Sequence, residues 1–168
     1  PRFIALHPVF TRDEFVASRT GKSADPRSVD SLLAYHLARR TIVRLRRGLY
    51  ATVPGGTAVE NVDPDSMVVA SRLSADAVLA YHTALEFHGS ANSVHRQLIV
   101  LSAARLRTLR LLGRTYRAVR PPRTEPPDAG MRIGVVSAAR SGVAVRVTTR
   151  ERTLVDCLDR PSVAGGWA

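Results

Sequence analysis

A chain of 168 residues, 45% apolar and 23% charged, has the composition of one ordinary folded domain or two small ones, not of a disordered segment. No apolar run reaches the roughly 18 residues of a membrane-spanning helix, and the single Cys157 excludes an internal disulfide, which suits a reducing cytoplasm. The net charge of +11 favours a polyanionic partner over small neutral ones, with a solvated basic surface as the plain alternative.

That charge is uneven. Residues 1–54 carry a net +6, residues 55–128 a net +2 and residues 129–168 a net +3, and every cation except Lys22 is arginine. Phe3, Ile4 and Leu6 suggest a first short helix. A second helix is expected from Thr11, whose side chain can cap it while Glu14 completes a capping box and Phe10 staples onto Phe15. It should end near Ser18, and Arg19 to Pro26, with Gly21, reads as a polar connector.

A third helix is expected after Pro26, with Ser28 as its cap and Asp30 in its first turn. At 100° per residue, Val29, Leu33, His36 and Leu37 fall on one stripe and need a core. Ser28, Ser31, Tyr35 and Arg39 fall on another stripe, which mixes small hydrogen-bonding groups, an aromatic ring and a cation. Such a face suits a reader of the DNA major groove, and also an ordinary solvated helix.

Two β-type runs follow, Ile42 to Arg46 and Leu49 to Val53, joined around Arg47-Gly48. Alternation sends Arg44 and Arg46 to one face of the first strand and Val43 and Leu45 to the other. With Arg47 they would form a basic hairpin tip able to neutralise phosphates or enter a minor groove. Helix, connector, helix and basic hairpin are the parts of a winged helix-turn-helix. The expected domain is residues 1–54, with Arg27, Ser28, Ser31, Tyr35, Arg39, Arg44, Arg46 and Arg47 as its DNA-binding residues.

Pro54-Gly55-Gly56-Thr57 reads as a linker to a second domain, residues 55–168. Two helices are expected in it first, Asp63 to Leu73 capped by Asp63, and Ala77 to His88 stopped by Gly89. Strands are expected at Gln97–Leu101, Arg114–Val119, Met131–Val136 and Val143–Val147, with a loop or short helix over residues 103–112 and a stiff proline-rich connector over residues 121–127. Thr149 should cap a last helix, Arg150 to Leu158, whose apolar stripe is Leu154, Val155 and Leu158. The whole is an α+β chain, its second domain built on a small, mostly antiparallel sheet.

Catalytic and metal sites find little support. His82, His88 and His95 are spaced six and seven apart, unlike an i, i+4 ligand pair, and no second cysteine completes a zinc set. Glu151 and Asp156 lie on different faces of one helix, so Asp156 is expected to pair with an arginine or a helix terminus instead. Cys157 reads as a small buried hydrophobe. Neither a glycine-rich phosphate loop nor a serine elbow is present, so no enzyme activity and no cofactor are expected.

Three stretches resemble the AbiEi family of antitoxin-type transcriptional regulators from bacterial type IV toxin–antitoxin systems. They are Pro8-Val9-Phe10-Thr11, the run Arg44-Leu45-Arg46-Arg47-Gly48-Leu49-Tyr50, and Val147 to Asp156 followed by Arg160-Pro161 and Gly165-Gly166; Ala84-Leu85 before His88-Gly89 also fits. The resemblance implies a winged helix that binds inverted repeats in its own promoter, with two copies on a two-fold operator, and represses the operon. It also implies that the second domain counteracts a co-transcribed nucleotidyltransferase toxin without a tight complex. Members of that family continue past the Gly-Gly, so the chain is expected to be a piece of a longer protein. The alternative reading makes the second domain an interaction or toxin-neutralising module in which DNA binding is secondary.

Overall fold

The computed structural model describes residues 2–19, 25–91, 96–123 and 129–164. Gly21, Lys22, His95, most of the proline-rich connector and Gly165-Gly166 lie outside the described residues. The chain divides into two compact units, Pro1–Asp65 and Ser66–Ala168, and is α+β with two sheets.

The first unit runs α1 (Arg2–Leu6), β1 (Val9–Thr11), α2 (Arg12–Ala17), α3 (Pro26–Ala38), β2 (Ile42–Arg46) and β3 (Leu49–Thr52), with an antiparallel sheet ordered β1-β3-β2. The start of α2 follows from local chemistry. Thr11 accepts from the Glu14 amide and the Glu14 carboxylate accepts from the Thr11 amide, so two orphan donors are satisfied reciprocally. Phe10 and Phe15, on either side of that cap, lie 5.7 Å apart between ring centroids. They join Ile4, Val29, Leu33, Ile42 and Tyr50 in one buried cluster. Thr52 on β3 donates to the carbonyls of Ile4 (3.0 Å) and His7 (2.9 Å), a side-chain tie from the sheet back to α1.

Two expectations for this unit change. The cap of α3 is Asp25, not Ser28: the Asp25 carboxylate accepts from the Ser28 amide, and Pro26 takes the first helical position. Proline needs no donor there and carries a helical φ already, which moves the cap to the residue before it. Residues 9–11, ahead of α2, form a third strand that a three-residue run does not announce.

The second unit contains α4 (Ser66–Ser71), β4 (Val78–Leu79), α5 (His82–Phe87), β5 (Gln97–Leu101), β6 (Leu109–Leu111), β7 (Arg114–Val119), β8 (Val135–Arg140), β9 (Val143–Thr148), α6 (Arg150–Asp159) and α7 (Pro161–Ala164). Its sheet is ordered β6-β7-β5-β4-β9-β8, with β5·β7 and β4·β9 parallel and the other three junctions antiparallel. The helix expected over residues 77–88 is in fact a strand followed by a helix. Val78 and Leu79 are fully buried between β5 and β9. A strand covered on both faces reads as a continuous apolar run, and periodicity cannot separate it from a buried helix. Helix α4 begins at Ser66 rather than Asp63, and the strand expected at residues 131–136 lies at Val135–Arg140, after a 3-10 turn at Ala129–Met131.

The last helix also turns out differently. Leu154, Val155 and Leu158, read as its core stripe, are 58%, 60% and 53% exposed. The buried face carries Thr153 and Asp156 instead. Asp156 accepts from the Arg152 guanidinium at 2.7 Å, and Arg152 also donates to the carbonyls of Ile133 (2.7 Å) and Gly130 (3.3 Å). Thr153 shares a hydrogen bond with Thr148 (2.7 Å) and donates to the Thr149 carbonyl (2.6 Å). Most of these polar atoms tolerate burial because their partners are supplied within the unit, while the second carboxylate oxygen of Asp156 is buried without a hydrogen-bond partner. Gly134, at φ +63°, lets the chain pass beside Arg152, where an added Cβ would lie 2.7 Å from the Arg152 Cβ.

Candidate nucleic-acid interface

Arg27, Ser28, Ser31, Tyr35 and Arg39 are all exposed along the outer side of α3. This exposure follows from the opposite stripe, where Val29 and Leu33 are pinned in the core at 1% and 2% exposure. The Ser31 hydroxyl donates to the Arg27 carbonyl at 2.9 Å, so its oxygen still has acceptor capacity toward solvent. Tyr35 carries its ring half in water, with the Arg39 guanidinium 5.3 Å from the ring centroid. A cation stacked on an exposed ring holds its planar donors in a defined place.

The hairpin does not gather its arginines as strict alternation predicts. Arg44 pairs with Tyr50 and Arg46 with Leu49, across a bulge between Arg44 and Arg46. Adjacent residues of β3 face opposite sides of the sheet, so Arg44 and Arg46 do not share a face. Arg44 is exposed and Arg46 half-buried. Arg47 alone sits in the turn, followed by Gly48 at φ +78°.

Arg44 and Arg47 meet instead in a cleft of about 680 Å3, lined also by Arg12, Asp13, Asp30, Gly48 and Tyr50. The cleft lies between the hairpin and the starts of α2 and α3. Its frame is built from two ties. The Arg12 amide donates to the Gly48 carbonyl at 2.9 Å, which fastens the turn to α2. The Arg12 guanidinium grips the Asp30 carboxylate through two hydrogen bonds of 2.8 and 3.1 Å, which fastens α2 to α3. Those bonds hold the Asp30 carboxyl below its ordinary range and raise the Arg12 guanidinium. Arg44 lies 5.9 Å from the Tyr50 ring centroid. Among the described residues no ion pair engages Arg44 or Arg47, so the cleft offers two positive charges beside the neutralised Arg12–Asp30 pair and the Asp13 carboxylate, a net +1. Arg12 was not legible as part of this site, because its partner is 18 residues away and no periodicity connects them.

His36 closes the other end of α3, with Nδ1 2.9 Å from the Thr41 hydroxyl, and burial lowers its pKa below the ordinary 6.5. A group depressed in the folded state favours folding above its unfolded pKa and withdraws that support as acid protonates it. The first unit should therefore lose stability as the pH is lowered through about 6.5, and His36→Gln should flatten that part of the profile. Urea melts followed across this range check it; an unchanged pH dependence would remove His36 from the account.

In the second unit, His88 Nε2 contacts the Thr148 carbonyl at 2.7 Å and His82 is buried at the start of α5. Asp156 is paired with Arg152, while Glu151 is exposed on another face of α6. Cys157 packs against the cluster of Val78, Ala80, Tyr81, Ile99 and Leu101, and burial pushes its thiol up, away from the reactive thiolate. No family model matches this chain, and no curated protein is significantly similar to it.

Proposed function

We propose that the first unit is a winged helix-turn-helix that binds double-stranded DNA, with α3 laid in the major groove and the β2–β3 hairpin as its wing. One observation carries the reading: the element order helix, strand, helix, helix, strand, strand, closed by a sheet ordered β1-β3-β2, with the polar face of α3 exposed and an arginine cleft beside it. In that arrangement Ser28, Ser31 and Tyr35 meet base edges, while Arg27, Arg39, Arg44 and Arg47 hold phosphates. Arg12 acts through Asp30 by fixing α2 against α3. Arg46 contributes less than its sequence position suggests, because it is half-buried.

The resemblance to AbiEi regulators extends this to a repressor of its own toxin–antitoxin operon, with the second unit counteracting a nucleotidyltransferase toxin. That extension rests on the quoted sequence stretches and the basic charge of residues 1–54. A footprint on the DNA upstream of the gene tests the central claim. The wild-type chain should protect an inverted repeat, and Ser31→Ala and Tyr35→Ala should change which bases are preferred while leaving non-specific binding intact, with about 1–3 kcal/mol of discrimination at stake per base contact. An identical footprint for both variants would remove α3 as the reader.

A further inference from the structure

The two edges of the six-stranded sheet are treated differently. At one edge β6 is three residues long, with Arg110 at its centre and exposed. A short strand with a central charge is one of the ways proteins block pairing with other chains. At the other edge β8 is six residues long and pairs with β9 without interruption, Val135↔Thr148 through Arg140↔Val143. It contains neither proline nor bulge, and its single charge, Arg140, stands at its end. Among the described residues no strand covers its outer side.

Exposed apolar side chains collect around the same edge. Among the described residues, two large hydrophobic side chains are well exposed here: Ile133 just before β8 and Val136 on it. Ile133 is held beside α6, because Arg152 donates to its carbonyl and Gly134 abuts Arg152, whereas Leu154 and Leu158 lie on the side of that helix away from Arg152.

We propose that β8 is the self-association edge of this protein, pairing antiparallel with β8 of a second copy across a two-fold axis to make one continuous sheet. The strand suits its own copy. Val136, Ser137, Ala138 and Ala139 are small or uncharged, so two backbones can approach, and an identical strand satisfies every free donor and acceptor by symmetry. The antiparallel direction is set by Arg140: centred near Ala138, it keeps the two Arg140 residues at opposite ends, whereas a parallel pair would place like charges side by side. Ile133 and Val136 then flank the joint and are covered with it. This inference is independent of the DNA reading, since it concerns the second unit alone.

Sedimentation of the full chain from about 1 to about 100 µM tests it, because association of this kind is governed by mass action over such concentrations. The wild type should approach twice the monomer mass, and hydrogen exchange of residues 135–140 should slow as concentration rises. Ser137→Lys with Ala139→Lys, both exposed positions, should leave a monomer with an unchanged melting temperature. A wild type that stays monomeric throughout overturns the proposal, and so does a dimer whose mass the double variant leaves unaltered. If the double variant melts early, the exchange of residues 135–140 in the wild type decides alone: concentration-independent exchange sinks it.

Discussion

Asp156→Ala is expected to destabilise the second unit by about 3–5 kcal/mol, the usual cost of removing one partner from a buried ion pair. Asp156 is 3% exposed and its carboxylate meets the Arg152 guanidinium at 2.7 Å. Arg152 is itself only 14% exposed and spends its remaining donors on the carbonyls of residues 130 and 133. Without the carboxylate, a cation is left in a low-dielectric site with nothing to neutralise it. The loss should spread beyond α6, because Arg152 ties that helix to the turn that leads into β8. Glu151→Ala, exposed on the same helix, is the control and should stay within about 0.5 kcal/mol. Replacing Arg152 and Asp156 together by apolar residues of similar size should cost less than either single change. Denaturant melts of the four proteins measure this; a single Asp156 variant as stable as the control would show that the pair is not what holds α6 down.

Arg44→Ala combined with Arg47→Ala is expected to weaken binding to every DNA sequence alike. Each lost phosphate contact should reduce the slope of log affinity against log salt by about 0.9, so the pair should reduce it by about 1.8. The choice of residues follows from the bulge in β2, which sends Arg44 to the cleft and leaves Arg46 half-buried across the sheet. Arg46→Ala should therefore act on stability more than on the salt slope. Fluorescence anisotropy with one specific and one random duplex, at several salt concentrations, separates the outcomes. If the double variant keeps its affinity and slope on both duplexes, the hairpin is not a wing. The contrast with Ser31→Ala is useful here: phosphate contacts set overall affinity, base contacts set preference.

Much of the first unit was legible without coordinates. The capping box at Thr11 and Glu14, the Phe10–Phe15 staple, the buried stripe of α3 and the turn at Arg47-Gly48 all depend on groups within a few residues of one another. In the second unit, β5 and β7 fall where their branched runs place them, and Thr149 caps α6 by accepting from the Arg152 amide. The pairing of Asp156 with an arginine was also readable, since its partner is one helical turn away.

What the tertiary structure decided is of another kind. The facing of Arg44 and Arg46 turns on a bulge, which exists only in the register between two strands. Whether residues 77–80 are helix or strand turns on neighbours from residues 97–101 and 143–148, because a fully enclosed segment has no polar face to reveal its period. Arg12 enters the cleft through Asp30, and α6 turns its leucines outward because Arg152, Asp156 and Thr153 find their partners inside. Sequence by itself determined the local signals, the charge excess and the face of α3 that must be buried. Pairing between distant segments decided the rest, because a hydrogen bond or an ion pair is written in two places and its energy exists only when the fold brings them within about 3 Å.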